Sequence, residues 1–247
     1  MRMTKRVFRA AFVHSLPVLM GYVAMGMAAG ILLAKKVEMP CRTGWAFLTS
    51  MVNISGALQF LLVEWTANPI PLTSVVLLTL CLNLRYAMYG FSLLDRFRPL
   101  GFGLKSYLVW TLTDETYAIE VANRVPEGED SIAYCLSVAA LDHFYWVAGV
   151  VAGALIGGEL PIDSRGIDFA MTALFLVILT DQCRERINRL PAVIGLVSAL
   201  FCRVVLAMPI GKMLLPTIPL MVGVLLVFRK RLLAFGAGQL GEESDAT

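Results

Sequence analysis

Apolar residues run through this chain in blocks and do not alternate with polar ones. The blocks fall at about 12–34, 45–63, 71–94, 106–123, 131–156, 168–180, 191–208 and 213–228. Each has the length of a helix, and none shows the period-two alternation of a barrel strand. In lipid a backbone is satisfied only by closed helices or a closed barrel. The pattern therefore predicts an all-α polytopic membrane protein, one integral domain over 1–247. Residues 236–247 are polar, glycine-containing and acidic, and predict a disordered tail.

Composition agrees with the pattern. Hydrophobic residues make up 58% and charged residues 16%, with a mean hydropathy of +0.73. A soluble domain carries about 45–50% apolar and about 25% charged residues. The balance excludes a disordered chain, a nucleic-acid-binding module and an ordinary cytosolic enzyme. The five cysteines show no metal-ligand spacing and read as small apolar residues. Phosphate-loop, zinc-protease and nucleophile-elbow motifs are absent from the sequence, so no enzyme activity and no cofactor are expected. The first apolar run is too long for a signal peptide. Arg2, Lys5, Arg6 and Arg9 before it predict a cytoplasmic N-terminus.

A weak repeat recurs at an offset of about 120 residues. Asn68, Pro71 and Arg85 correspond to Asn188, Pro191 and Arg203. Arg42, Gly44 and Phe47 fall near Arg165, Gly166 and Phe169, and Gly21–Gly30 resembles Gly149–Gly158. This predicts two repeats, about 10–123 and 131–228. If all eight segments cross, eleven Lys and Arg lie on the cytoplasmic side and eight outside, a poor bias. If the glycine-rich first and fifth elements are re-entrant or broken, the counts become sixteen and three. That arrangement has about six full transmembrane helices and two re-entrant elements. Three crossings per repeat invert one repeat against the other, a plan common in transporters.

Polar groups inside apolar segments are costly and mark function. Segment two carries Asn53, Ser55 and Gln59, a hydrogen-bonding lining or interhelical glue. Segment three carries Asn83 and Arg85, with Tyr86 and Tyr89. The planar fork of Arg85 suits a carboxylate, and an internal ion pair is the alternative. Segment four carries Asp114 and Glu115, candidates for proton coupling or for a buried pair with Arg85 or Arg203. Segment five carries Asp142, His143 and Trp146. Asp142 and Trp146 share a stripe with Gly149 and Gly153, and His143 is a candidate proton relay. These residues suit a small zwitterion: Arg85 for its carboxylate, Asp142, Asp114 or Glu115 for its ammonium or a driving proton, and Trp146 for its side chain.

The pieces "SGALQF" (55–60), "LNLRYAMYGFSLL" (82–94), "LTDETYAI" (112–119) and "LDHFYWVAGVVAGALIG" (141–157) resemble the AzlC-type branched-chain amino acid export family of prokaryotes. Order and spacing agree over about residues 10–210. The resemblance implies a permease of the inner, cytoplasmic membrane that exports valine, leucine, isoleucine or related amino acids. It also implies a small hydrophobic partner of the AzlD type. Leu58 and Asp142 depart from the family's usual residues and bear on pocket size and charge. The alternative is a non-transporting membrane scaffold or an accessory subunit of another transport machine.

Overall fold

The protein is described here by a computed structural model. It describes residues 3–38, 40–122, 124–159, 176, 179–180, 183–184, 186–207 and 214–228. Most of segment 168–180, residues 165, 166 and 169 of the repeat, and the 236–247 tail lie outside the described residues. The described residues are helical, without strands: α1 Lys5–Lys36, α2 Arg42–Val52, α3 Gly56–Ala67, α4 Leu72–Phe97, α5 Phe102–Trp110, α6 Asp114–Ala122, α7 Ser131–Glu159, α8 Arg186–Val204 and α9 Leu214–Val227. Three of them, α1, α4 and α7, are long and apolar enough to cross a membrane. By contact the chain divides into two units, Met1–Pro71 with Leu82–Ala170, and Leu72–Cys81 with Met171–Thr247. In the second, α8 packs on α9, and a Cβ on Gly195 would lie 3.2 Å from Met221 Sδ.

The first unit is built on α1 and α7. Gly26 and Gly30 on α1, and Gly149, Gly153 and Gly157 on α7, recur every fourth residue and let the two backbones touch. A Cβ on Gly26 would lie 2.9 Å from Val150 N, and one on Gly157 would lie 2.8 Å from Ile31 Cα. Contacts rise together along both helices: Thr4 with Glu129, His14 with Tyr134, Gly26 with Gly149, Ile31 with Gly157. The helices are therefore parallel.

This corrects two expectations. Glycine in segments 12–34 and 131–156 predicts re-entrant or broken elements. The structure keeps them as unbroken helices of 32 and 29 residues, because the glycines serve close packing. Inversion of 10–123 against 131–228 requires α1 and α7 to be antiparallel, whereas their directions agree.

The breaks lie in segments two and four. Helices α2, α3, α5 and α6 have 11, 12, 9 and 9 residues, about 14–18 Å each and far short of a bilayer core of about 30 Å. Arg42 begins α2 beside the C-terminal end of α1, donating to Ala34 O at 3.0 Å. The helix descends to Asn53, whose carbonyl accepts from Trp146 Nε1 at 3.1 Å. Then α3 returns, and Glu64 pairs with Lys36 at 2.9 Å, again at the end of α1. The α2–α3 pair is thus a hairpin that re-emerges where it entered.

From Arg85 to Arg96, α4 runs toward the N-terminal end of α1. Arg85 meets Asp114, Ser92 meets Tyr117, and Arg96 meets the carbonyl of Glu120, so α6 runs the same way. Phe97, Leu100 and Leu108 join Val7, Ala11 and Ala133 in one apolar cluster. The α5–α6 pair is therefore a second hairpin, entering from the N-terminal end of α1. The two hairpins point at each other. The outer face of α4 carries Leu84, Met88 and Phe91, 60–70% exposed, a stripe suited to lipid.

Candidate functional site

The site forms where the hairpin tips meet. Tip one is Asn53–Ile54–Ser55. Asn53 Oδ1 accepts from Ser55 N at 3.2 Å, and its Nδ2 donates to Ser55 O at 3.1 Å and to Gln59 Oε1 at 3.3 Å. Ser55 caps α3 by accepting from Leu58 N at 3.4 Å. Short polar side chains here replace helix bonds with local ones, which is why the helix stops. Gln59 is buried and also donates to Thr49 Oγ1 at 3.0 Å. The first-turn N–H groups of Gly56 and Ala57 have no partner inside α3 and lie at the tip.

Tip two is Thr111–Leu112–Thr113. Thr113 Oγ1 accepts from Thr116 N at 3.2 Å and caps α6. Asp114 and Glu115 then fall in the first turn, where the helix dipole favours negative charge.

Two structures bridge the tips. The first is aromatic. Trp146 on α7 holds the Asn53 carbonyl, and Tyr22 on α1 sits edge-on to Trp146 with ring centroids 5.8 Å apart. The Tyr22 hydroxyl contacts Thr113 Oγ1 and donates to Glu115 Oε2 at 3.1 Å. The second bridge is charged and lies on α4. Tyr86 OH is 3.4 Å from Ser55 Oγ and accepts from Arg85 Nη2 at 2.9 Å. Arg85 Nη1 pairs with Asp114 Oδ2 at 2.8 Å, and Tyr89 OH donates to Asp114 Oδ1 at 2.7 Å. The Arg85 and Asp114 side chains remain 33% and 30% exposed, so the pair sits at the open side of the tips.

Asp142 lies one turn before Trp146. Its Oδ2 accepts from Thr116 Oγ1 at 2.7 Å, while its Oδ1 has no hydrogen-bond partner among the described residues. The structure thus brings together Asn53, Ser55, Gln59, Arg85, Asp114, Glu115, Asp142 and Trp146. Asn83 lies three residues before Tyr86 on the same face, half-buried, with Oδ1 unpartnered among the described residues. His143 turns elsewhere. Its Nδ1 is 3.3 Å from Tyr107 OH, and it lines an apolar groove of about 370 Å3 with Phe47, Met51 and Phe144. Its Nε2 is buried with no hydrogen-bond partner among the described residues.

Sequence reasoning missed three groups. Tyr22 is a lone polar side chain in a glycine-rich run. Glu120 is fully buried, and neither carboxylate oxygen has a hydrogen-bond partner among the described residues. An acid inside an apolar segment is a signal, but Asp114 and Glu115 overshadow it. Glu64, the partner of Lys36, is the third. No group of three or more His, Cys, Asp and Glu among the described residues could hold a metal ion.

The arrangement offers helix N-termini, a half-exposed guanidinium, opened carbonyls and buried carboxylates at one depth. These are groups that bind a small zwitterion. A family model described as "AzlC protein" matches residues 17–160. An uncharacterized membrane protein of Helicobacter pylori is 34% identical over 92% of this chain and 97% of its own. The branched-chain amino acid transport protein AzlC of Bacillus subtilis is 30% identical, covering 91% of this chain and 86% of its own. The inner membrane protein YgaZ of Escherichia coli is 26% identical over 80% and 81%. No solved structure matches significantly. More than half of the chain fits the family model, and its similarity to the Helicobacter and Bacillus proteins covers nine-tenths of it: the chain belongs to the AzlC family of membrane proteins.

Proposed function

We propose that the protein is a secondary-type exporter of branched-chain or related small apolar amino acids across the inner membrane. It works with a small hydrophobic subunit of the AzlD type. The observation that carries this reading is the pair of opposed half-length hairpins whose polar tips meet between α1, α4 and α7. Broken helices meeting at mid-depth are the way a carrier exposes backbone dipoles to a solute without facing lipid. The first-turn N–H groups of α3 and the Arg85 fork receive the carboxylate. The Asn53 carbonyl receives the ammonium, and Asp142 takes the ammonium or a driving proton, with Ser55, Gln59 and Asn83 beside them. Trp146 packs against the side chain. Such a pocket distinguishes one methylene by only about 1–3 kcal/mol, so it carries several apolar amino acids.

In this reading α1, α4 and α7 cross the membrane and the hairpins are re-entrant. The unit of α1 with α2–α3 is followed by its inverted counterpart, α4 with α5–α6. Lys5, Arg6, Arg9, Arg96, Arg98, Lys105 and Arg124 fall on the side of the N-terminus, against Lys35, Lys36 and Arg42 on the other. That bias supports a cytoplasmic N-terminus. In a cysteine-free background, an impermeant maleimide is expected to label Glu38→Cys and Asn68→Cys from outside intact cells. Leu100→Cys and Glu127→Cys are labelled only after permeabilisation. Labelling of residues 38 and 68 from opposite faces overturns the hairpin.

The direct test is efflux of preloaded radiolabelled valine and methionine from cells expressing the chain, with and without the co-encoded small subunit. Faster efflux that needs the subunit is expected. Asn53→Ala, which unties tip one, should reduce it by about tenfold at unchanged membrane level. Equal retention under all conditions sinks the solute assignment. The internal Arg85–Asp114 pair favours the scaffold alternative. The unpartnered oxygens of Asp142 and Glu120 favour a working site, because a scaffold gains nothing from them.

A further inference from the structure

Five side chains form one hydrogen-bonded line through the centre of the first unit. Glu115, exposed, accepts from Tyr22 OH at 3.1 Å. Tyr22 contacts Thr113 Oγ1, which donates to Thr116 Oγ1 at 3.1 Å. Thr116 donates to Asp142 Oδ2 at 2.7 Å. Between its acids the line consists only of hydroxyls, each able to accept one proton and pass on another. A proton placed on Glu115 lets every hydroxyl donate toward Asp142, and the reversed line returns it.

One turn beyond Thr116 on α6 lies Glu120. It is fully buried with both oxygens unpartnered among the described residues, and Asp142 is 1% exposed with Oδ1 unpartnered. The groups facing Glu120 are Arg96 from α4 and Tyr134, Cys135 and Asp142 from α7. Those facing Asp142 are Thr116, Glu115 and Glu120 from α6, Tyr22 from α1 and Tyr134 from its own helix. Farther out, His14 of α1 holds Tyr134 OH at 2.7 Å. Arg96 spends one N–H on the backbone carbonyl of Glu120, not on its carboxylate. An ionised Glu120 has no hydrogen-bond donor among the described residues and an ionised Asp142 has only Thr116, and protonation removes the charge.

We infer that Asp142 and Glu120 are the proton-carrying pair of the transport cycle, loaded through the hydroxyl line that begins at Glu115. The inference rests on the transport reading above and gives it a driving force. In each cycle one proton from the side of higher proton activity forms an O–H bond on a carboxylate. The same proton is released to the other side, and no electrons move. The co-reactant is the transmembrane proton gradient. Asp114 takes no part, because Arg85 and Tyr89 already hold both its oxygens, and His143 stands off the line.

Two readouts test this. The purified protein in lipid bilayers is treated with an apolar carbodiimide, which modifies protonated carboxyl groups, at pH 6 and pH 8, and mapped by mass spectrometry. Modification at Glu120 or Asp142 is expected, greater at pH 6, and lost at the substituted position in Glu120→Gln and Asp142→Asn. In proteoliposomes with the small subunit, Glu120→Gln should retain valine counterflow while losing gradient-driven net efflux by about tenfold or more. Glu120→Asp should restore part of it. Absence of modification at both acids, or net efflux in Glu120→Gln that still follows the proton gradient, overturns the pair. So does efflux that follows sodium and ignores pH. Wild-type protein without counterflow counts against the solute reading, while the carbodiimide result, which needs no solute, still decides the pair.

Discussion

Alanine at Gly30 or Gly153 is expected to lower the thermal midpoint of the detergent-solubilised protein by about 10 °C, more than alanine at the other described glycines. A Cβ on Gly30 would lie 2.6 Å from Ala154 N and would run into Val150 O. A Cβ on Gly153 would lie 2.6 Å from Met27 Cα. Both obstacles are backbone, so no side chain can swing aside, and α1 must move off α7 along its length. That movement reaches the site, because Tyr22 of α1 contacts tip two and Trp146 of α7 holds tip one. Overpacking costs about 1–3 kcal/mol per site, a large share of a typical margin of about 5–15 kcal/mol. Gly21→Ala and Gly103→Ala meet nothing within 4 Å and serve as controls, with midpoints unchanged to within about 2 °C. A Gly153→Ala protein that melts with these controls would show that the helices are not packed backbone to backbone.

All three long helices were legible as apolar helical segments, because hydropathy over a window measures burial in lipid, but only α4 was read as an unbroken crossing. The hairpins were not. A mean over 45–63 is the same whether the chain passes through or turns back. Direction is set by contacts distant in sequence, such as Lys36 with Glu64 or Arg42 with Ala34. Asn53 and Ser55 stood out as polar residues, but whether they line a helix or end one depends on Trp146 reaching the Asn53 carbonyl. Glycine was legible as close approach but not as to its partner, so it read as a break. Of the candidate site, Arg85, Asp114, Glu115 and Asp142 were found because their charge is costly in lipid, Glu120 was passed over, and Arg85 with Asp114 was among the pairings the sequence left open. Tyr22 and the threonines of tip two carry little cost individually, and their line is visible only when α1, α6 and α7 are assembled.

Neutralising Arg85 and Asp114 together is expected to separate structure from transport. In Arg85→Gln, Asp114 keeps only the Tyr89 hydroxyl and an uncompensated charge. In Asp114→Asn, Arg85 keeps only Tyr86. Each single variant should therefore lose stability. The Arg85→Gln, Asp114→Asn double variant should recover much of it through an amide pair, with a coupling of about 1–2 kcal/mol in a thermodynamic cycle. That lies below the roughly 3–5 kcal/mol lost when a fully buried pair is broken, because about a third of each side chain stays exposed. Efflux should behave differently. If the guanidinium receives the solute's carboxylate, the pair must open in every cycle, and no amide replaces its charged fork. The stable double variant should then still export at less than about a tenth of the wild-type rate. Efflux restored in step with stability would reduce Arg85 to a structural partner of Asp114 and leave the first turn of α3 as the carboxylate site. Efflux that stays low in a protein of wild-type stability would place the solute at the open side of the two tips, where Arg85 is the cation presented to it.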